Sequence, residues 1–451
     1  MLAIPNSCFE PEFCGRMSEC KDCSSSMHAL RRRGNSIKRG LTVRATIAML
    51  QEALKPSRRA EGVEYAIRDV IAKAEEVKRR GKRIIPLNIG DPVSYGFDTP
   101  LHIKDAMKKA VDAGSNYYSA SEGVKELRQA VAGKENAVNH ARIDYNDVVI
   151  TEGISEAIFF LMAAMVNPGD EVLMPGPCYP PYISFAKFFD GVPVTYHTVE
   201  EKDWFPDLED LEKKITSKTR FIVVINPSNP TGSVYPKQEL ERIVEIAARH
   251  HLPLAADEIY DRITFESNFT SVASIAGDVP IFGLNGFSKA YLMTGWRLGY
   301  IYVQDPAEKL KDVWECIQKM SRVRLCASTP TQIAGVAALT GPQDHIAEMV
   351  GKLRQRRDFA LRKLKGIPRL SSSKPKGAFY LFPKIDMQGT RWKNDGEFVT
   401  ELLEETGVLV VHGSGFDPKY GEGHFRSVFL PDETMLGEAF DAIETFMKRR
   451  G

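Results

Sequence analysis

The stretch Phe221-Ile222-Val223-Val224-Ile225-Asn226-Pro227-Ser228-Asn229-Pro230-Thr231-Gly232 changes character half-way. Its first five residues are apolar and four of them are β-branched, which suits a strand buried on both faces. The two Asn-Pro pairs that follow can only be loop. The same sequence of events recurs on either side. Short apolar runs at Val148–Thr151, Glu171–Met174, Val194–His197, Leu254–Asp257, Ile281–Asn285 and Leu298–Val303 alternate with longer helical patterns. Such alternation implies crossover connections and an α/β fold with a mostly parallel sheet covered by helices. Ligands of such sheets bind in the loops at the carboxyl ends of the strands.

At 451 residues, the chain is long enough for more than one packed domain. Lys and Arg number 60 against 59 Asp and Glu, so there is no basic field for nucleic acid or an anionic membrane surface. The longest apolar run, Ala157 to Val166, is too short to span a bilayer and reads as a core helix. Four of the seven cysteines lie in the first 23 residues, at a spacing with one tight pair. No metal is expected there. The other three, Cys178, Cys316 and Cys326, are scattered, which suggests a reducing compartment and a cytoplasmic protein.

Residues 1–48 carry eight Lys and Arg against four Asp and Glu and lack apolar periodicity. They read as a disordered tail or as an extension upstream of a start at Met49. After them, Ile67, Val70, Ile71, Ala74 and Val77 mark one face of a helix that Gly81 ends. Residues 49–95 are assigned to a smaller domain, residues 96–328 to a large ligand-binding domain, and residues 329–451 to the rest of the small one. That C-terminal part resumes strand-like runs at Ala378–Phe382, Val408–Val411 and Phe425–Leu430, between helices near 350–366 and 435–449, and is expected to be α+β.

Chemistry gathers at the strand ends. One strand runs into Asn229, the next into Asp257-Glu258-Ile259-Tyr260, the next into Gly286-Phe287-Ser288-Lys289, and Arg297 follows eight residues later. Singly these are a turn, a helix cap and solvated charges. Together they suit a phosphorylated pyridine aldehyde. A buried lysine loses its proton readily and condenses with a carbonyl. Asp257 can keep a pyridine nitrogen protonated, making the ring an electron sink. Tyr260 and Asn229 can donate to a phenolate oxygen. Thr151-Glu152-Gly153-Ile154-Ser155 closes a strand and opens a helix, so amides near Gly153, Ile154 and Ser155 can meet a phosphate, with Arg297 and Ser288.

From about residue 56 onward the chain resembles the fold-type-I pyridoxal-5'-phosphate (PLP) enzymes, aminotransferase class I. Within that class it is most similar to the bacterial and archaeal alanine aminotransferases. Carrying stretches are Leu87-Asn88-Ile89-Gly90-Asp91-Pro92, Asn116-Tyr117-Tyr118, Asp203-Trp204-Phe205-Pro206-Asp207-Leu208, Asn229-Pro230-Thr231-Gly232, the Ser288-Lys289 site, Arg324-Leu325-Cys326-Ala327 and Lys376-Gly377-Ala378-Phe379-Tyr380-Leu381-Phe382-Pro383. The resemblance implies a homodimer that moves an amino group between an L-amino acid, alanine in the first instance, and a 2-oxo acid such as 2-oxoglutarate. It implies that Lys289 carries PLP, Gly90 and Arg426 hold the substrate carboxylate, Tyr179 stacks on the ring, and Tyr118 reaches a phosphate across the dimer interface. Tyr117 is taken for a packed aromatic. Gly286 departs from aspartate-type relatives, which often place Ser there. Arg322 and Arg324 are the positional candidates for a distal carboxylate. An aspartate or aromatic aminotransferase, or a lyase on the same fold, is the alternative; a PLP-binding regulator lacks the room for a fused DNA-binding domain.

Overall fold

The computed structural model describes residues 55–451 apart from 64, 65 and 267, so the expectations for residues 1–48 lie outside the described residues. Helix α1 (Ala66–Arg79) forms where the apolar periodicity predicts it, and Gly81 beyond its end takes a φ of 87°. Ala74 and Val77 pack on Leu403 and Leu409, while Ala66 and Ile67 at the other end pack on Trp204, Phe382, Val411 and Phe416. Strand β1 (Ile85–Pro86) follows and pairs with residues 408–409 far along the chain.

The large sheet has eight strands: β2 (Val148–Thr151), β3 (Glu171–Gly176), β4 (Val192–Val199), β5 (Phe205–Pro206), β6 (Thr219–Ile225), β7 (Leu254–Asp257), β8 (Ile281–Gly286) and β9 (Gly299–Gln304). Their spatial order is β2-β9-β8-β7-β6-β3-β4-β5. The central pairs β4–β3–β6–β7–β8 are parallel, and β2, β9 and β5 are antiparallel additions at the edges. The expected α/β architecture, a mostly parallel covered sheet, is therefore the one observed. Every residue of β7, β8 and β9 is buried, in line with their continuous apolar runs. Helix α2 (Ile154–Met165) covers one face with Ala157, Ile158, Phe160, Leu161, Met162 and Met165 buried. No described helix is long and apolar enough to cross a membrane.

Register explains the site. Ile225 is level with Asp257, Asp257 with Leu284, and Gly286 with Gly299, which is also level with Thr151. The carboxyl ends of β2, β6, β7 and β8 and the start of β9 thus emerge at one end of the sheet.

The C-terminal residues form short strands, β10 (Leu370–Ser371), β11 (Tyr380–Leu381), β12 (Lys384–Ile385), β13 (Val408–Leu409), β14 (Val411–His412) and β15 (Phe425–Val428), between helices Asp344–Lys365 and Glu433–Arg450. The expected single strand Val408–Val411 is two. Val408 and Leu409 pair in parallel with β1, and beyond Val410 the chain turns to pair antiparallel with β15. An apolar run of four carries no sign that its halves have different partners.

Candidate active site

One cavity of about 500 Å³ opens at the strand ends just described. Eleven of the thirteen candidate residues line it: Gly90, Ile154, Ser155, Tyr179, Asn229, Asp257, Tyr260, Ser288, Lys289, Arg297 and Arg426.

Lys289 stands three residues past β8 and donates its Nζ proton to the Gly90 carbonyl at 2.7 Å. Burial pushes its pKa down to about 8. Asp91 and Asp257 pull the other way, and the guanidiniums of Arg297 and Arg426 add to the depression. An amine with such a value reaches its nucleophilic form near neutral pH.

Asp257 ends β7 and is buried. Burial pushes its carboxyl up to about 6, against a 2.9 Å hydrogen bond donated by the Tyr182 hydroxyl and a longer one from the Ile259 amide. The hydrogen bonds to this carboxyl come from neutral donors, and the Lys289 charge adds a smaller pull toward its ionised form. A cation placed against it would be strongly attracted and would keep it ionised.

Arg297 lies across the start of α2. Its Nη2 is so near the Gly153 Cα that a Cβ added there would stand 2.4 Å away. Gly153 itself has φ 74° and ψ 169°, a backbone region that side-chain-bearing residues avoid, and it leaves the helix without a side-chain cap. The uncapped N–H groups of the first turn, the Ser155 and Ser288 side chains and the Arg297 guanidinium make a cradle for a dianion.

Across the cavity, Arg426 is buried under a tight polar clasp. Nη1 donates to Asn229 Oδ1 at 2.9 Å, Nη2 donates to the Asn88 carbonyl, and the Tyr380 and Phe416 rings flank the guanidinium at 4.5 and 4.9 Å. Its Nε has no hydrogen-bond partner among the described residues. A buried donor left open costs free energy, so the site suits an anion that brings acceptors. Tyr260 exchanges a 2.6 Å hydrogen bond with Tyr380, and burial pushes its phenol well up. The cavity thus has an anion grip at each side, with a lysine and a carboxylate between them.

The family model "Aminotransferase class I and II" matches residues 82–443. The chain belongs to that family. The glutamate-pyruvate aminotransferase AlaA of Escherichia coli K12 is 38% identical over 383 residues, covering 84% of this chain and 94% of the relative. The alanine aminotransferase of Mycobacterium tuberculosis H37Rv is 38% identical over 403 residues, covering 88% and 93%. Among solved structures, alanine aminotransferase from Pyrococcus furiosus superposes with a TM-score of 0.86 at 50% identity, covering 88% of this chain and all of that one.

Two candidates of this aminotransferase stand outside the cavity. Gly153 abuts it through Arg297. Tyr118 is 79% exposed, and its neighbour Tyr117, taken for a packed aromatic, is 63% exposed instead. The Tyr117 backbone is tied to Thr329 and its ring is left on the surface. Gly286 has a local cause: a Cβ there would stand 3.0 Å from the Gly299 Cα, because β8 and β9 touch at that pair. Arg322 and Arg324 do not line the cavity. Arg322 pairs with Glu122 at 3.3 Å, and Arg324 ties Glu156, Ser121 and Ile150 together. Sequence reasoning gave no role to Tyr182, Thr294, Tyr380 or Arg68. Tyr380 and Asp91 lie within the stretches 376–383 and 87–92 that carry the family resemblance, which is the one signal that could have found them.

Proposed function

We propose that this aminotransferase is PLP-dependent and exchanges the amino group between alanine and 2-oxoglutarate. The observation that carries the reading is a lysine tuned to about 8 beside a buried carboxyl, with one arginine on either side of the same cavity. Lys289 would carry the cofactor. Arg297, Ser288, Ser155 and the amides at Gly153 and Ile154 would take its phosphate, with Tyr118 of a second copy completing the set. Asp257 would face the ring nitrogen, Tyr179 would stack on the ring, and Asn229 and Tyr260 would donate to its phenolate oxygen. The bound cofactor supplies an electron sink for the charge left at the substrate Cα.

The chain's own groups do the rest. Arg426, helped by Asn229 and Gly90, holds the α-carboxylate and so fixes which bond at Cα stands ready to break. Lys289 Nζ, once free, removes the Cα proton and returns it. The partners are therefore small molecules and a second copy of the chain. Exposed Tyr117, Tyr118 and Leu325 support an interface between copies, and the exposed Cys316, which has no disulfide partner among the described residues, supports a cytoplasmic setting. The names of the relatives support alanine as the donor.

The test is to load the protein with PLP, add amino acids one at a time and follow cofactor absorbance, then measure kcat/KM with 2-oxoglutarate as acceptor. Alanine should lead. If aspartate or an aromatic donor exceeds it by about tenfold, roughly 1.4 kcal/mol in transition-state binding, the alanine reading fails while membership of the family stands.

A further inference from the structure

A second group of buried charges stands apart from the cavity. Lys134 and Glu135, on the helix Lys125–Val138, meet Asp261 from the turn beyond β7. Their side chains are 7%, 0% and 2% exposed, and none of the three lines the cavity. Lys134 Nζ donates to Asp261 Oδ2 and, at 2.9 Å, to Glu135 Oε1. Asn139 Nδ2 is shared between Glu135 Oε2 at 2.7 Å and Asp261 Oδ2 at 3.0 Å. The Tyr300 hydroxyl, from β9, donates to Glu135. Burial opposes the Lys134 charge, yet Asp261 and Glu135 hold its pKa above the ordinary value.

The same Asp261 oxygen reaches the strand that leads to Lys289. Strands β7 and β8 pair in parallel as far as Asp257 and Leu284, and the Glu258 amide donates to the Leu284 carbonyl at 2.9 Å. Further out, Asn285 Nδ2 donates to Asp261 Oδ2 at 3.0 Å, while Asn285 Oδ1 accepts from the Gly286 amide at 2.7 Å. Asp261 stands four residues past Asp257 and next to Tyr260, and Asn285 stands four residues before Lys289. One carboxylate oxygen, held by three nitrogens, therefore spans the two segments that carry the carboxyl and the amine of the site. Desolvation offsets most of what such a buried cluster gains by attraction, so it is a poor source of stability. What it supplies is direction, because charge-assisted hydrogen bonds are short and geometrically exacting.

We propose that Lys134 and Asn285 are positioning residues that act through the Asp261 carboxylate to fix the separation of Asp257 and Lys289. This rests on the reading that Lys289 carries PLP and that Asp257 faces its ring nitrogen. Both groups then address one rigid ring, so a slip of one segment past the other moves the amine away from the atom whose proton it takes. The Arg426 grip hangs on Asn88 and Asn229 instead, so substrate binding is held separately from this clasp.

The experiment compares wild type with Lys134→Met, Lys134→Arg, Asn285→Ala and a stability control, Asn136→Ala. Asn136 lies on the same helix, and its side chain bonds to the amide and carbonyl of Ile143 rather than to the clasp. The readouts are the thermal midpoint of the cofactor-free protein, the pH midpoint of the absorbance change of PLP on Lys289, and kcat and KM for alanine. Lys134→Met, Asn285→Ala and the control should all lower the thermal midpoint. Only Lys134→Met and Asn285→Ala should move the pH midpoint, by about half a unit or more. The same two should lose about 10- to 100-fold in kcat with KM within about threefold of wild type. Lys134→Arg keeps the charge and the donors and should return most of both losses. Asn285→Ala leaves the Lys134–Asp261 pair whole, so it decides the question if Lys134→Met does not fold. Clasp variants that match the control in pH midpoint and kcat would overturn the proposal. A shift in Lys134→Met alone would overturn it too, because Asn285→Ala exchanges one neutral side chain for another and reports position without a change of charge. A wild-type protein with no pH-dependent band from PLP on Lys289 would overturn the cofactor reading itself, and it shows that before any variant is made.

Discussion

Gly153→Ala isolates the phosphate cradle from the rest of the site. The substitution acts twice. Alanine at φ 74° and ψ 169° enters a region almost confined to glycine, at a cost of about 1–3 kcal/mol. Its Cβ would also stand 2.4 Å from Arg297 Nη2, so the guanidinium must leave the start of α2. The first effect is modest when spread over the folded body. Unfolding entropy near 2.1 cal/mol/K per residue over roughly 390 residues gives about 0.8 kcal/mol per degree. The midpoint without cofactor should therefore fall by only about 1–4 °C. The second effect removes one charge-assisted hydrogen bond to a dianion, about 1.5–3 kcal/mol, so the Kd for PLP should rise about 10- to 150-fold. Titration of the cofactor-free protein with PLP, followed by absorbance, reads the second effect, and a thermal melt of the same sample reads the first. Gly81→Ala is the control. Gly81 has φ 87° with nothing within 4 Å of an added Cβ, so it should lower the midpoint comparably and leave the Kd alone. If Gly153→Ala lowers the midpoint but binds PLP within threefold of wild type, Arg297 does not hold the phosphate.

Other variants probe the groups between the two arginines. Lys289→Ala should bind PLP without a covalent link and lose at least about 10²–10⁴-fold in turnover, the range of a lost acid–base group; borohydride reduction of wild type followed by peptide mapping should place the pyridoxyl label on Lys289 and on no other lysine. Asp257→Asn should keep the fold and the Tyr182 contact yet lose at least about 10²-fold in turnover, the scale of one pre-organised electrostatic partner, and near-wild-type kinetics would assign the ring nitrogen to another group. Glu258, the next residue along, is pushed up to about 8 by burial and faces Ser271 and the Val272 amide. The folded state then binds more protons than the unfolded chain between about 4.5 and 8, so wild-type stability from this group is full below that window and lost as pH rises through it. Glu258→Gln should therefore gain in thermal midpoint relative to wild type as pH goes from 5 to 8, and a pH-independent difference would refute the assignment.

The sheet was legible because each central strand is an apolar run ended by turn residues. Val148–Thr151 and Leu254–Asp257 match the observed strands at both ends, and β8 and β9 differ by one residue at each end that moves. What stayed hidden had no such signature. Strand β5 is two residues, one of them Pro206, at the edge of the sheet. Strands β13 and β14 share a run of apolar residues whose division is set by partners elsewhere, residues 85–86 for one and β15 for the other.

The site divides along the same physical line. Asn229, Asp257, Lys289 and Arg297 fall together at the strand ends on sequence alone, because parallel strands in register bring their carboxyl ends together whatever the side chains are. Tyr182 meets Asp257 across 75 residues and Thr294 meets Asp91 across 203, and contacts of that kind leave no periodic trace. Arg68 is the instructive case. Periodicity marks α1 as amphipathic and puts Arg68 beside its buried stripe, where an arginine is ordinarily a solvated surface charge. It lines the cavity that holds Arg426 because Ile67 packs against Phe382 and Val411 and so fixes the first turn of α1 there. Local pattern therefore tells which residues touch the core and strand order tells where a cavity opens, but which surface charge borders that cavity depends on how a remote helix docks.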